Sequence, residues 1–131
     1  MEIKDRNDHE MQVIRELAGS QGDGPVLMLN LNRYSDEAAF PHGDLYLNYM
    51  KVLEALLPEV GARVLWRAPV SGQPIGDQEL HEVLAVWYPS HQAFMDLSRA
   101  PGSEENFRLR SQAVETAVIH RIVGDVERFT P

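Results

Sequence analysis

Residues 25–34 read Pro25-Val26-Leu27-Met28-Leu29-Asn30-Leu31-Asn32-Arg33-Tyr34. An apolar run of this length, entered through Gly-Asp-Gly and left through Ser-Asp, predicts a buried strand. Two asparagines and an arginine give it a polar end. Period-2 alternation sends Val26, Met28, Asn30 and Asn32 to one face and Leu27, Leu29, Leu31 and Arg33 to the other. The leucine face is expected in the core under helices, and the face carrying Asn30 is expected to line a cavity.

Upstream, Met11, Ile14, Leu17 and Ala18 fall at helical spacing within 5–18, with charges between them. Gly19 stops this amphipathic helix, and residues 20–24 form a glycine-rich link, so 1–24 is an N-terminal addition to a domain spanning 25–123. Downstream, Asp44 is expected to cap a helix from Leu45 to about Leu57 that ends at Pro58 and Gly61. Strands follow at Ala62–Val70 and Leu80–Tyr88, joined by the turn-rich segment 71–79 as a hairpin. Pro89 ends the third strand, Ser90 caps a short helix through Leu97, and Ser103 begins another to about Gln112. A fourth strand is expected at Glu115–Val123, with 124–131 as a tail.

Composition narrows the chemistry. The 131 residues suit one domain with a core of its own. There is no cysteine, which excludes disulfides, thiolate metal sites and cysteine nucleophiles. The formal charge of -8 repels a phosphate backbone, and the basic residues are scattered, so neither nucleic acid nor an anionic membrane is an expected partner. Charges throughout the first twenty residues rule out a signal-peptide core, no apolar run reaches membrane-spanning length, and a cytoplasmic protein is the expectation. His42, Asp44, His81, His91 and His120 show no metal-ligand spacing. Nucleophile elbow, phosphate loop and dinucleotide fingerprint are all missing, so no cofactor is expected.

Strand, helix, strand, strand, helix, strand is the ferredoxin-like βαββαβ order, an α+β fold with a four-stranded antiparallel sheet. Right-handed crossovers put both main helices on one side. The opposite side should carry Val83, Ala85, Trp87, Val118 and Ile122, with Val26 and Met28 beside them. An apolar sheet face needs a cover. The N-terminal helix can cover part of it, and a second copy packed about a two-fold axis covers it fully, so a homodimer with a cavity between or beside the sheets is expected.

The strand Val26–Arg33, the segments Gly61-Ala-Arg-Val-Leu-Trp-Arg67 and Trp87-Tyr-Pro-Ser-His-Gln-Ala-Phe94, and the turn Ser103–Arg110 before a last apolar strand resemble the bacterial family known as domain of unknown function 1330. The resemblance covers about residues 25–123. It implies the dimeric α/β barrel, a superfamily of cofactor-independent monooxygenases, haem-degrading enzymes, isomerases and proteins of no known activity. Asn30, Arg33 and Tyr34 match the family's asparagine, basic and aromatic positions at the first strand's end. Asn32, the loop Gly72–Gly76 and the N-terminal helix depart from it.

These readings give a candidate site for a small organic ligand. Asn30 either hydrogen-bonds a ligand carbonyl or oxyanion, or bridges to protein backbone or water. Arg33 clamps a ligand carboxylate or pairs with a surface acid. Tyr46, Trp66 and Trp87 provide walls, or else core and interface packing. His120, alternating with Val118 and Ile122, is either a general base or an interface histidine. Asn30 and His120 are thus the catalytic candidates, in an oxygenase or isomerase of a carbonyl or aromatic compound. The alternative is a non-catalytic ligand-binding or structural dimer.

Overall fold

The computed structural model describes residues 6–130. Helix α1 (Asp8–Leu17) leads to β1 (Val26–Tyr34), α2 (Asp44–Leu56), β2 (Arg63–Pro69), β3 (Glu82–Tyr88), α3 (His91–Asp96), α4 (Ser103–Ala113), β4 (Val114–Val123) and α5 (Val126–Phe129). Asp5, where the helical periodicity begins, lies outside the described residues. Gly19, at φ +73°, takes the left-handed conformation that ends α1. Asp44 is the first residue of α2 rather than its cap, which is Gly43. Ser90 caps α3 as expected, its hydroxyl accepting from the Ala93 N–H.

The strands form one open sheet in the order β2-β3-β1-β4, antiparallel at every junction. This is the ferredoxin-like arrangement, and within one chain the sheet does not close into a barrel.

The two faces of β1 are the reverse of those expected. Val26, Met28 and Tyr34 belong to the core with Leu84, Val86 and Tyr88, beneath Tyr49 and Met50 of α2 and Leu109 of α4. Leu27 and Ala85 are buried but stand outside that cluster, on the other face. Alternation separates two faces; where both are apolar it cannot say which one meets the helices. The register does place the expected residues outward: Leu31, Leu29 and Leu27 sit opposite Val83, Ala85 and Trp87, and Leu31 and Leu27 opposite Val118 and Ile122. Trp66, Val118 and Ile122 remain 41, 38 and 38 % exposed there.

Helix α1 covers the helix side of the sheet, not the outer face. Ile14 joins the core, and Glu10 pairs with Arg121, whose strand partner is Met28. Four side chains fix this docking. His91 Nδ1 donates to Asp23 at 2.9 Å, leaving Nε2 as the acceptor facing the Arg121 guanidinium at 3.4 Å. The described part of the tail, 124–130, is also not free. It folds into α5, and the Phe129 carbonyl accepts from the Trp66 indole at 3.2 Å.

Candidate functional site

The polar end of β1 meets the start of β3 directly, because Asn32 lies opposite Glu82. Both point to the helix side, where apolar neighbours dominate. Glu82 is 4 % exposed and Asn32 3 %. Two residues on, period-2 alternation brings Tyr34 to the same face, beside a β4 irregularity that leaves Glu115 unpaired between Thr116 and Val114. Tyr46, in the first turns of α2, descends from above.

These groups form one network. The Tyr34 hydroxyl donates to Glu82 Oε1 at 2.6 Å, and the Tyr46 hydroxyl donates to the same carboxylate, 2.8 Å from Oε2 and 3.0 Å from Oε1. Asn32 Nδ2 donates to the Tyr34 oxygen at 3.3 Å. Asn32 Oδ1 is buried and without a partner among the described residues. Burial, with Glu82 adding to it, pushes both phenols well above their ordinary range, so they stay protonated donors. Among the described residues no cation pairs with Glu82. A carboxylate buried among phenols without a paired cation is uncommon.

Phe40 closes the network from outside. Its ring stacks on Tyr34 (centroids 5.2 Å apart, 21° between planes), meets Tyr46 edge-on at 4.8 Å and lies 5.5 Å from His81. It is carried on the segment between β1 and α2, whose close fold requires Gly43: a Cβ there would fall 2.3 Å from the Ala38 carbonyl oxygen. His81 Nδ1 accepts the Tyr34 backbone N–H at 2.9 Å, so its proton is on Nε2 in the neutral ring. The imidazole also borders an open groove of about 520 Å³ along the β2–β3 loop, shared with Arg33, Gln73, Asp77 and Glu79.

Of the residues expected from sequence, Tyr46 alone is in this cluster. Asn30 is on the helix side, part-buried, its amide donating to the Met28 carbonyl at 2.9 Å. Arg33, at the strand end, is engaged by Glu79 and by Glu115 at 2.8 Å. Trp66, Trp87 and His120 lie on the outer face, with the Arg63 guanidinium 5.9 Å from the Trp87 ring centroid. Asn30 and His120 are on opposite faces, since His120 sits across from Leu29 and Asn30 from Ile119. The expected set therefore does not share one cavity.

Glu82, Tyr34 and Asn32 were missed as site residues. The available signal was a glutamate in phase with Leu84, Val86 and Tyr88 in an otherwise apolar strand. Among the described residues no group of three His, Asp or Glu side chains is arranged to hold a metal. No helix among them is long and apolar enough to cross a membrane.

Fold and site together define a ferredoxin-like α+β protein with a buried carboxylate held by tyrosines between sheet and helices. Solved structures agree on the fold. A protein of unknown function from Rhodopseudomonas palustris is 28 % identical, with TM-score 0.72 over 90 % of this chain and 93 % of that one. A dabb family protein with a ferredoxin-like fold from Mesorhizobium loti is 12 % identical, with TM-score 0.59 over 79 % of this chain and 99 % of that one. A dimeric ferredoxin-like protein of unknown function from Thermobifida fusca is 11 % identical, with TM-score 0.50 over 81 % of this chain and 96 % of that one. The chain matches no protein-family model and no curated protein.

Proposed function

We propose that the protein binds a small organic molecule at the Glu82 cluster and works as a homodimer. The observation that carries the first part is the Glu82 carboxylate, buried without a cation and held by the Tyr34 and Tyr46 hydroxyls beside an unpartnered asparagine oxygen. In a catalytic version, Glu82 takes the proton from a carbon next to a ligand carbonyl, and a tyrosine O–H donates to the enolate oxygen that forms. Returning the proton to a different carbon makes an isomerase. Passing the enolate's electrons to dioxygen makes a cofactor-independent oxygenase. A non-catalytic ligand-binding role is favoured by a different feature, the engagement of both phenol hydroxyls by Glu82.

A thermal-shift screen of small carbonyl and aromatic compounds against the wild type and Glu82→Gln tests this reading. Compounds that raise the wild-type melting temperature and leave Glu82→Gln unmoved are expected. Hits that stabilise both proteins equally would place binding elsewhere.

The dimer rests on the outer sheet face, where Trp66, Val118 and Ile122 are exposed together. The resemblance to the domain of unknown function 1330 family and the dimeric state of the Thermobifida fusca protein support it. Trp66, Trp87 and His120 then belong to the seam. Light scattering should give about twice the 14.8 kDa chain mass, and Val118→Asp/Ile122→Asp should give one. A monomeric wild type would end the proposal.

A further inference from the structure

The slot under Phe40 has walls and an acceptor floor, and both are chemically specific. Phe40 lies nearly parallel to Tyr34 and edge-on to Tyr46, with His81 on the remaining side, so the space it fills is shaped for one aromatic ring. The ring is part-exposed, and its chain neighbours Ala39 and Pro41 are exposed. Ala39 is held at φ +51°, a left-handed conformation that an alanine adopts only when its surroundings impose it.

The floor is made of acceptors. Asn32 spends its N–H on the Tyr34 oxygen, whose own proton goes to Glu82, and this order fixes which way the amide points. Oδ1 is left facing no donor at 3 % residue exposure. Glu82 accepts from two hydroxyls, and a carboxylate has acceptor sites for more. Set directly against Asn32 Oδ1, a ligand carboxylate or carbonyl oxygen would only bring a second acceptor. A hydroxyl or N–H would answer Asn32 Oδ1, the buried oxygen of this cluster that lacks a partner. A ring stacked on Tyr34 in the manner of Phe40, but bearing a hydroxyl at the far end, would carry it alongside the Tyr34 hydroxyl, where Glu82 and Asn32 converge.

We propose that this slot takes a small aromatic molecule carrying a hydroxyl or N–H donor, its ring replacing that of Phe40 against Tyr34, Tyr46 and His81 and its donor reaching Asn32 Oδ1 and Glu82. This rests on the ligand site being the Glu82 cluster and adds the polarity of the ligand. It also reverses the role expected of an asparagine at this strand end, which receives the ligand's proton donor and does not supply one.

Phenol and anisole are the probes, because they share ring and oxygen and differ in the donor. Each is titrated into the 15N-labelled full chain and into Phe40→Ala, which empties the ring slot, with the Asn32 side-chain amide and the Tyr34 backbone amide followed by NMR. Phenol is expected to bind at least ten times more tightly than anisole in both proteins, to shift those two signals, and to bind Phe40→Ala more tightly than wild type. Equal binding of the two probes at these signals would overturn the donor requirement and leave the Glu82 site standing. If neither probe binds while Glu82-dependent compounds emerge from the thermal-shift screen, the aromatic slot is overturned alone; if those are missing too, the site falls with it. Shifts confined to other residues likewise refute the proposal. Should Phe40→Ala fail to fold, the wild-type phenol-to-anisole ratio decides by itself. A crystal structure with one water on Asn32 Oδ1 that phenol does not displace would also overturn it.

Discussion

Tyr34→Phe/Tyr46→Phe is expected to lose about 4 kcal/mol of folding stability, the scale seen when a buried charge loses its partners. The reason is local. Every hydrogen bond described for the Glu82 carboxylate comes from these two hydroxyls. Removing both leaves a charge in a site only 4 % exposed, whereas removing one leaves the other in place and should cost about 1.5 kcal/mol, so that two such losses fall short of the double variant's. The loss belongs to the stranded carboxylate rather than to the missing oxygens, so adding Glu82→Leu to the double variant should restore much of it. Urea denaturation of wild type, single, double and triple variants measures this. Additive small losses, with no recovery in the triple variant, would mean that Glu82 is not dependent on the phenols. The triple variant should also lose any ligand-induced thermal shift, which separates restored stability from restored binding.

Asp23→Ala should be almost as damaging, by about 3 kcal/mol near neutral pH, because one side chain serves several donors at once. Its carboxylate accepts from the N–H groups of Gly19 at 3.0 Å, His91 at 2.7 Å and Gln92 at 3.1 Å, and from His91 Nδ1. It therefore caps α3 from a segment sixty-odd residues away in sequence and ties the end of α1 to it. Burial pushes the Asp23 carboxyl up, but the hydrogen bonds from Gly19, His91 and Gln92 outweigh burial and hold it well below the usual carboxylate range. A depressed acid stabilises the fold fully above its unfolded value of about 3.9 and loses that contribution as pH falls toward the folded value, because the unfolded chain then binds the proton more readily. The stability difference between wild type and Asp23→Ala should accordingly be constant from neutrality down to about pH 5 and shrink below about pH 4. Glu10 and Glu105 are also lowered, but they are present in both proteins and cancel in the difference. A gap that does not narrow in acid would show that Asp23 acts by shape and not by charge.

The outer sheet face and the cluster make separate demands on the sequence. Leu27, Leu29, Leu31, Val83, Val118 and Ile122 keep the outer face apolar, while the helix-side face carries Asn32, Tyr34 and Glu82 at one end and Asn30 and Arg121 further along. Changes on one face should leave the other's properties alone, since the antiparallel register assigns each residue to a single side.

The amino-acid sequence by itself determined the order of elements. Apolar runs, Gly19, the Pro58–Gly61 stop and the Ser90 cap act over a few residues, and local backbone preference is enough to place them. It also determined that both sheet faces are apolar, because alternation in β3 and β4 needs no knowledge of the partner strand. Only the tertiary structure decided which face of β1 lies under the helices. With valine and methionine on one side and leucine on the other, the two choices bury similar apolar surface, and the outcome depends on how Tyr34, Tyr88 and the helix residues pack together. The site followed that choice. Asn30 and Arg33, conspicuous in sequence, are satisfied by Met28 and by Glu79 and Glu115. Glu82 and Tyr34, 48 positions apart, acquire their meaning only when β3 is laid against β1. A strand pairing of that separation is set by the whole fold, since no local preference in either segment specifies its partner.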